Sequence, residues 1–228
     1  MPAQECRPVY LVVPAGGKGV RMGGGVPKQF RLWRGRPLLQ ATVDAFFGAG
    51  MPTLAGIALA VPEEFMDQVR RWSFPTRAWV VQGGVTRQDS VAAALAALPG
   101  DAGAAVLIHD AVRPFPPVAQ VLEAIDALSD WDGAVLGEAS TDTLKRVDPS
   151  GRILETVPRE AIFRAHTPQA SSLGTWRRAF AAAAEEGFVG TDDVSLLERL
   201  GLKVKLIPSP SSNLKVTTPE DWESLPSA

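Results

Sequence analysis

The chain has 228 residues, 46% of them hydrophobic and 21% charged, with 23 Lys and Arg against 25 Asp and Glu for a formal net charge of −2. That is enough apolar material for one globular domain over 1–228, and a near balance of charge without blocks of like sign leaves no broad basic face for nucleic acid and no polybasic stripe for a membrane. The single Cys6 excludes an internal disulfide and a thiolate metal site, and the apolar run 9–13 is too short for a signal sequence or a membrane span, so a cytoplasmic protein is expected.

The first predicted strand, 9–14, passes directly into Pro14-Ala15-Gly16-Gly17-Lys18-Gly19-Val20-Arg21-Met22, with Pro27-Lys28-Gln29-Phe30 close behind. Glycines after a strand let the backbone approach a ligand and aim N–H groups at it. Arg21 and Lys28 bring formal positive charge to a polyphosphate, although the same residues also read as a surface turn with solvated cations. The spacing fits neither of two familiar loops. No Gly-x-x-x-x-Gly-Lys-Ser/Thr occurs, which argues against a P-loop. The dinucleotide fingerprint fails because Met22 stands at the third glycine and the stretch Arg34-Gly35-Arg36-Pro37-Leu38 offers no acid to a ribose.

Further apolar runs at 55–61, 77–82, 104–108, 133–138 and 203–208 alternate with helical spacing at 38–47, 63–72, 89–98, 117–128, 172–186 and 192–200. That alternation predicts an α/β fold, a mostly parallel sheet flanked by helices. Ligands of such sheets bind at the carboxyl ends of the strands. After 77–82 comes Gln82-Gly83-Gly84-Val85-Thr86-Arg87-Gln88-Asp89-Ser90, where the glycine pair frees the backbone and Ser90 opens a helix. The segment suits base recognition, or Thr86 or Asp89 simply caps the helix. After 104–108 comes His109-Asp110-Ala111-Val112-Arg113-Pro114. Asp110 is suited to hold Mg²⁺ or a ribose and Arg113 an anion, or the two brace the loop as a pair.

Segment 143–157 breaks the alternation, with two strand-like runs flanking Asp148-Pro149-Ser150-Gly151, a hairpin signal. A hairpin with few large apolar residues does not stand alone in water, so a partner subunit is the expected surface. Asp192-Asp193 reads as a helix cap, and His109 and His166, lacking metal-ligand spacing, read as satisfied structural histidines. No Gly-x-Ser-x-Gly occurs and no Cys–His pairing is credible, which argues against covalent catalysis. What remains is a set of cations at strand ends, Arg21, Lys28, Arg113, Arg159 and Lys215. They suit phosphoryl or nucleotidyl transfer, in which the protein mainly positions groups and neutralises charge around phosphorus.

Taken in order, these motifs together with Asp142-Thr143-Leu144-Lys145, His166-Thr167-Pro168-Gln169, Thr191-Asp192-Asp193 and Asn213-Leu214-Lys215-Val216-Thr217-Thr218-Pro219-Glu220-Asp221 resemble the 2-C-methyl-D-erythritol 4-phosphate cytidylyltransferase family nearly end to end. The resemblance implies a Rossmann-like nucleotidyltransferase sheet with a protruding β-arm over 138–163, a homodimer formed through that arm, and the substrates CTP and methylerythritol phosphate with Mg²⁺. It implies that Ala15, Gly16, Gly17, Lys18, Gly19, Gly84, Arg87, Ser90, Asp110 and Ala111 cradle the nucleotide, with Asp110 near the metal. Arg21, Lys28, Arg159 and Lys215 become the catalytic cations, and Arg113, Thr143 and Thr167 contact the acceptor, the arm reaching into the neighbouring subunit's site. Two departures stand out. Val85 replaces an acid found in some relatives, and Gly23-Gly24-Gly25 raises the entropy cost of ordering the loop before Lys28. The rival readings are a ribitol-5-phosphate cytidylyltransferase and a catalytically silent nucleotide-binding protein.

Overall fold

The computed structural model describes residues 7–17 and 25–226, so Lys18, Gly19 and Arg21 lie outside the described residues. In chain order the first half comprises β1 (Val9–Pro14), a two-stranded ribbon of β2 (Leu32–Trp33) and β3 (Arg36–Pro37), α1 (Leu38–Ala45), β4 (Leu54–Val61), α2 (Glu63–Arg70), β5 (Ala78–Gln82), α3 (Arg87–Ala97) and β6 (Ala105–Ile108). The second half comprises α4 (Val118–Asp126), β7 (Gly133–Ala139), β8 (Leu144–Val147), β9 (Ile153–Val157), β10 (Phe163–Ser172), α5 (Leu173–Glu185), α6 (Val194–Arg199), β11 (Val204–Pro208) and α7 (Pro219–Glu223). No helix among the described residues is long and apolar enough to cross a membrane.

A seven-stranded sheet runs in the order β11-β7-β10-β6-β1-β4-β5, with neighbours parallel except around antiparallel β10. The chain leaves β1 for β4 and β5 on one side, then returns to place β6 on the other. That reversal opens a crevice beyond the carboxyl ends of β1 and β6, where open α/β sheets bind ligands.

Period-two alternation in the buried strands sorts side chains onto two faces. Leu11 and Val13 of β1 join Ile57, Leu59 and Leu107 beneath α1, α2 and α4. Tyr10 and Val12 join Ala58, Val106 and Ile108 beneath α3, α5 and α6, where Trp176 is completely buried and donates its indole N–H to the Val106 carbonyl at 3.2 Å. Each fully buried Leu, Ile or Val contributes about 1.5–3 kcal/mol, which makes these two layers the rigid platform for the loops above them. A smaller cluster of Leu38, Val112, Val216 and Leu225 pins the C-terminal segment beside the loop after β6, and Val216 N–H donates to the Val112 carbonyl at 2.9 Å. That contact brings Lys215 to the crevice.

Strand β10 was not expected. Its residues are largely polar and Pro168 sits inside it, both of which argue against an interior strand. The structure accommodates it through a register shift between Ala165 and Gln169 against β7. Its polar groups are bonded inward as well, the Ser171 hydroxyl donating to the Asp132 carbonyl and Gln169 serving the turn before α6. The short β2–β3 ribbon and α7 also escaped the sequence reading, being too short to show a period.

Segment 144–157 forms a two-stranded sheet separate from the main one. Its turn is ordered by Asp148, whose Oδ1 accepts from the Ser150 and Arg152 N–H groups at 2.9 and 3.0 Å, and by Gly151 at φ +87°. Arg146 and Glu155 pair across the strands at 2.6 Å. Val147, Ile153 and Leu154 remain more than half exposed.

Candidate active site

Three loops meet at the crevice. After β1, the carbonyls of Ala15 and Gly17 both accept from the buried Gln29 amide at 2.7 Å, which fixes the first glycine turn. After β5, Gly83 N–H donates to the Val61 carbonyl at 2.8 Å and Gly84 N–H to the Ser90 hydroxyl at 3.1 Å, while Ser90 donates onward to the Thr86 carbonyl at 3.0 Å. The two glycine turns touch through Ser90. A Cβ on Gly16 would stand 2.8 Å from the Ser90 oxygen, and one on Gly84 would stand 2.2 Å from Cβ of Asp89, so neither site admits a side chain without displacement. Thr86 and Asp89 form a capping box at the start of α3, the capping role weighed from the sequence.

After β6, His109 is completely buried. Its Nε2–H donates to the Arg113 carbonyl at 2.9 Å and its Nδ1 accepts from the Thr167 hydroxyl at 3.1 Å. Burial pushes its pKa down to about 4, so the ring is neutral and both nitrogens are committed. The same Thr167 oxygen accepts the Asp110 N–H at 3.0 Å. His166 differs from the expected satisfied histidine. It too is driven down to about 4 by burial, but its Nδ1 has no hydrogen-bond partner among the described residues, and its Nε2 lies 3.6 Å from Glu138.

Asp110 is the electrostatic centre. Its carboxylate faces Lys215 at 2.9 Å, Arg87 at 3.2 Å and Arg113 at 3.5 Å. Burial works to raise the carboxyl, but the Arg87, Lys215 and Arg113 cations outweigh it and hold the group far below the ordinary carboxylate range. Arg113 also donates to the Asn213 carbonyl at 2.6 Å, and Asn213 donates to the Thr167 carbonyl at 2.8 Å, tying the C-terminal segment to β10. Arg87 spends its remaining nitrogens on Asp193, at 2.8 and 2.7 Å. Asp193 stands at the N-cap position of α6, but its side chain does not do the capping expected of the Asp192-Asp193 pair. It makes no capping bond, and Asp192 instead accepts the Ser195 N–H at 3.0 Å. Two acids in succession gave no sign of which would turn inward.

The resulting cavity, about 890 Å³, is lined by all three loops. Ala15, Gly16, Gly17, Lys28, Gly84, Arg87, Ser90, Asp110, Ala111 and Lys215 come together there, with Lys28 also donating to the Val216 carbonyl at 2.8 Å. Arg113 and Thr167 stand directly behind Asp110. Thr143 and Arg159 are exposed and away from the cavity, and Arg159 donates to the Thr141 carbonyl at the root of the hairpin. Gln29 and Asp193 were missed as functional neighbours, because nothing in their local pattern signals a long-range hydrogen bond. No cluster of His, Cys, Asp or Glu able to enclose a metal occurs among the described residues.

A family model described as IspD, 2-C-methyl-D-erythritol 4-phosphate cytidylyltransferase, matches residues 9–225. The chain belongs to that family. It is 40% identical to the 2-C-methyl-D-erythritol 4-phosphate cytidylyltransferase of Acidobacterium capsulatum over 94% of each chain, and 41% identical to that of Geotalea uraniireducens over 93% of each. Among solved structures, the Francisella tularensis IspD superposes with a TM-score of 0.80 at 27% identity, covering 95% of this chain and 97% of its own.

Proposed function

We propose that the chain transfers the cytidylyl group of CTP to 2-C-methyl-D-erythritol 4-phosphate, yielding 4-diphosphocytidyl-2-C-methyl-D-erythritol and pyrophosphate. The reading is carried by the cavity at the reversal of strand order, where Arg87, Arg113 and Lys215 meet a single carboxylate, Lys28 lines the wall, and no His or Cys stands among the described lining residues. A phosphate oxygen of the acceptor attacks the α-phosphorus as the bond to pyrophosphate breaks. That oxygen needs no protein base, because a phosphate monoester is largely dianionic at neutral pH. His109, neutral and saturated, fits a structural role in such a site.

The residues divide the work. The turns at Ala15–Gly17 and Gly83–Gly84 bring backbone close to the nucleotide, held in register by Ser90, and Lys18 and Gly19, next in the sequence, are assigned to the same ligand. Lys28, Lys215 and Arg21 take up charge that builds on the α-phosphate and the leaving pyrophosphate. Arg113 and Thr167 receive the acceptor behind Asp110. Asp110 and Ala111 meet the ribose.

An ionised carboxylate facing the cavity fits the way Mg²⁺ is held in phosphate-transfer sites, by one or two carboxylates and the substrate's own oxygens. Asp110 would hold it, and the ion would supply charge neutralisation across the triphosphate. The hairpin with its uncovered Val147, Ile153 and Leu154 supports a homodimer in which Thr143 and Arg159 complete the partner's site. A cytoplasmic setting, where nucleoside triphosphates are made, suits this chemistry.

A pyrophosphate-release assay with CTP, ATP, GTP and UTP, each offered methylerythritol 4-phosphate or ribitol 5-phosphate, tests the reading. Turnover is expected with CTP and methylerythritol 4-phosphate. Equal or better turnover with ribitol 5-phosphate would overturn the acceptor, and no turnover with any pair would overturn the activity.

A further inference from the structure

Arg87 lines the cavity, its side chain 37% exposed, yet its terminal nitrogens point away from the crevice to a carboxylate that is 2% exposed. That carboxylate is placed from behind. The Gln169 side-chain oxygen accepts the N–H groups of Asp193 and Val194 at 3.0 and 2.9 Å, and its amide donates to Asp192 at 2.9 Å. A buried residue of the interior strand β10 thus fixes the turn before α6, the turn presents Asp193, and Asp193 takes both ends of the Arg87 fork. Only Nε is left, and it meets Asp110 at 3.2 Å.

We propose that Asp193 is a positioning residue of the nucleotide site, which holds the Arg87 guanidinium against the cavity wall, off the polyphosphate, and through it orients Asp110. The bidentate geometry supports this, because a planar fork locked at both ends cannot rotate toward the cavity without breaking two charge-assisted bonds. The charge balance supports it too. Asp193 neutralises one of the cations beside the cavity, so the site attracts a triphosphate without over-binding the pyrophosphate it must release. Binding that is equally strong before and after reaction lowers no barrier, and a tightly held product slows turnover.

The inference rests on the proposed reaction only in taking pyrophosphate as the product, and its test does not need the acceptor. Pyrophosphate binding is measured by calorimetry for the wild type, for Asp193→Asn and for the charge-neutral double variant Arg87→Gln/Asp193→Asn, at fixed salt. Releasing Arg87 toward the cavity should tighten pyrophosphate about threefold to fivefold in Asp193→Asn, the range of a half-exposed ion pair, and the double variant should return to the wild-type value. A buried pair kept only for stability predicts the opposite sign, since a loosened site binds more weakly. Weaker or unchanged binding in Asp193→Asn overturns the proposal.

Should that single variant fail to fold, the double variant decides, because it replaces both charges with hydrogen-bonding amides and leaves no buried ion unpaired. Its melting temperature confirms folding. With Asp110 no longer steered by Nε of Arg87, kcat should fall about tenfold or more, a smaller loss than the roughly 10²-fold expected when a group touching the reacting atoms is removed, at an almost unchanged KM for CTP. A wild-type kcat in the double variant overturns the proposal. A wild type silent with every nucleotide and acceptor would instead overturn the proposed reaction, leaving the calorimetric sign to decide this inference.

Discussion

The loop after β6 and the hairpin 144–157 are built on opposite terms. Around Asp110 every described charge has a partner: three cations on one carboxylate, a neutral histidine with both nitrogens engaged, and a threonine hydroxyl serving two neighbours. In the hairpin the pairs are solvent-exposed, such as Arg146 with Glu155, and three large aliphatic side chains are left more than half exposed by the described residues. Exposed ion pairs contribute little, about 0–1 kcal/mol each. The first region is preorganised before any substrate arrives, whereas the second leaves apolar surface that the proposed partner would cover. Damage should follow the same division: chemistry and pH sensitivity in the first, assembly in the second.

The largest effect is expected at Lys28. Replacing it with Ala should lower kcat about 10²-fold or more, as seen when a preorganised electrostatic donor is removed, with the KM for CTP little changed. Steady-state kinetics decide the matter, and a loss confined to KM would make Lys28 a ground-state contact only.

Acid sensitivity comes next. His109 has an ordinary pKa of 6.5 that falls to about 4 in the fold, so between those values the unfolded chain binds a proton the native one does not. Stability then rises with pH across that window and is lost on acidification from 6.5 toward 4, by about 3 kcal/mol for a shift of this size. Asp110, depressed by its cations, adds a loss only at more acidic pH, below the ordinary carboxylate range. Urea unfolding at pH 7, 6 and 5 should show a falling midpoint. His166, lowered to about 4 as well, adds to the same slope, so a flat profile would mean that neither ring is held neutral as described.

The smallest effect on the fold is expected in the hairpin. Ile153→Ser with Leu154→Ser should leave the melting temperature of a dilute, monomeric sample within a few degrees of wild type, because exposed positions usually change stability by less than about 0.5 kcal/mol. The same pair should weaken self-association in sedimentation experiments. A large drop in melting temperature with unchanged association would reverse the comparison.

The sequence made the first region legible and the second only in outline. Alternating strands and helices, glycine turns after β1 and β5, and the polar run from His109 to Arg113 all carry local patterns that survive in the fold. The Asp148–Gly151 turn likewise announced a hairpin. What stayed hidden depends on contacts far apart in the chain. Polar β10 with its internal Pro168 becomes an interior strand only because its side chains find distant partners. Asp193, 106 residues from Arg87, gave no local hint of the pair it makes. The orphaned Nδ1 of His166 is of the same kind, fixed by packing rather than by spacing.

The central claim, that a preorganised nucleotide cavity is completed by the partner's hairpin, is tested most directly by mixing two inactive variants. Lys28→Ala and Arg159→Ala are unfolded and refolded together in equal amounts, and pyrophosphate release from CTP with methylerythritol 4-phosphate is measured. If Arg159 acts in the neighbouring site, half of the random dimers are mixed and each has one intact site, giving about a quarter of wild-type activity by the symmetry of a two-fold pair. No recovery, with subunit exchange confirmed, would contradict the account and return Arg159 to its own chain.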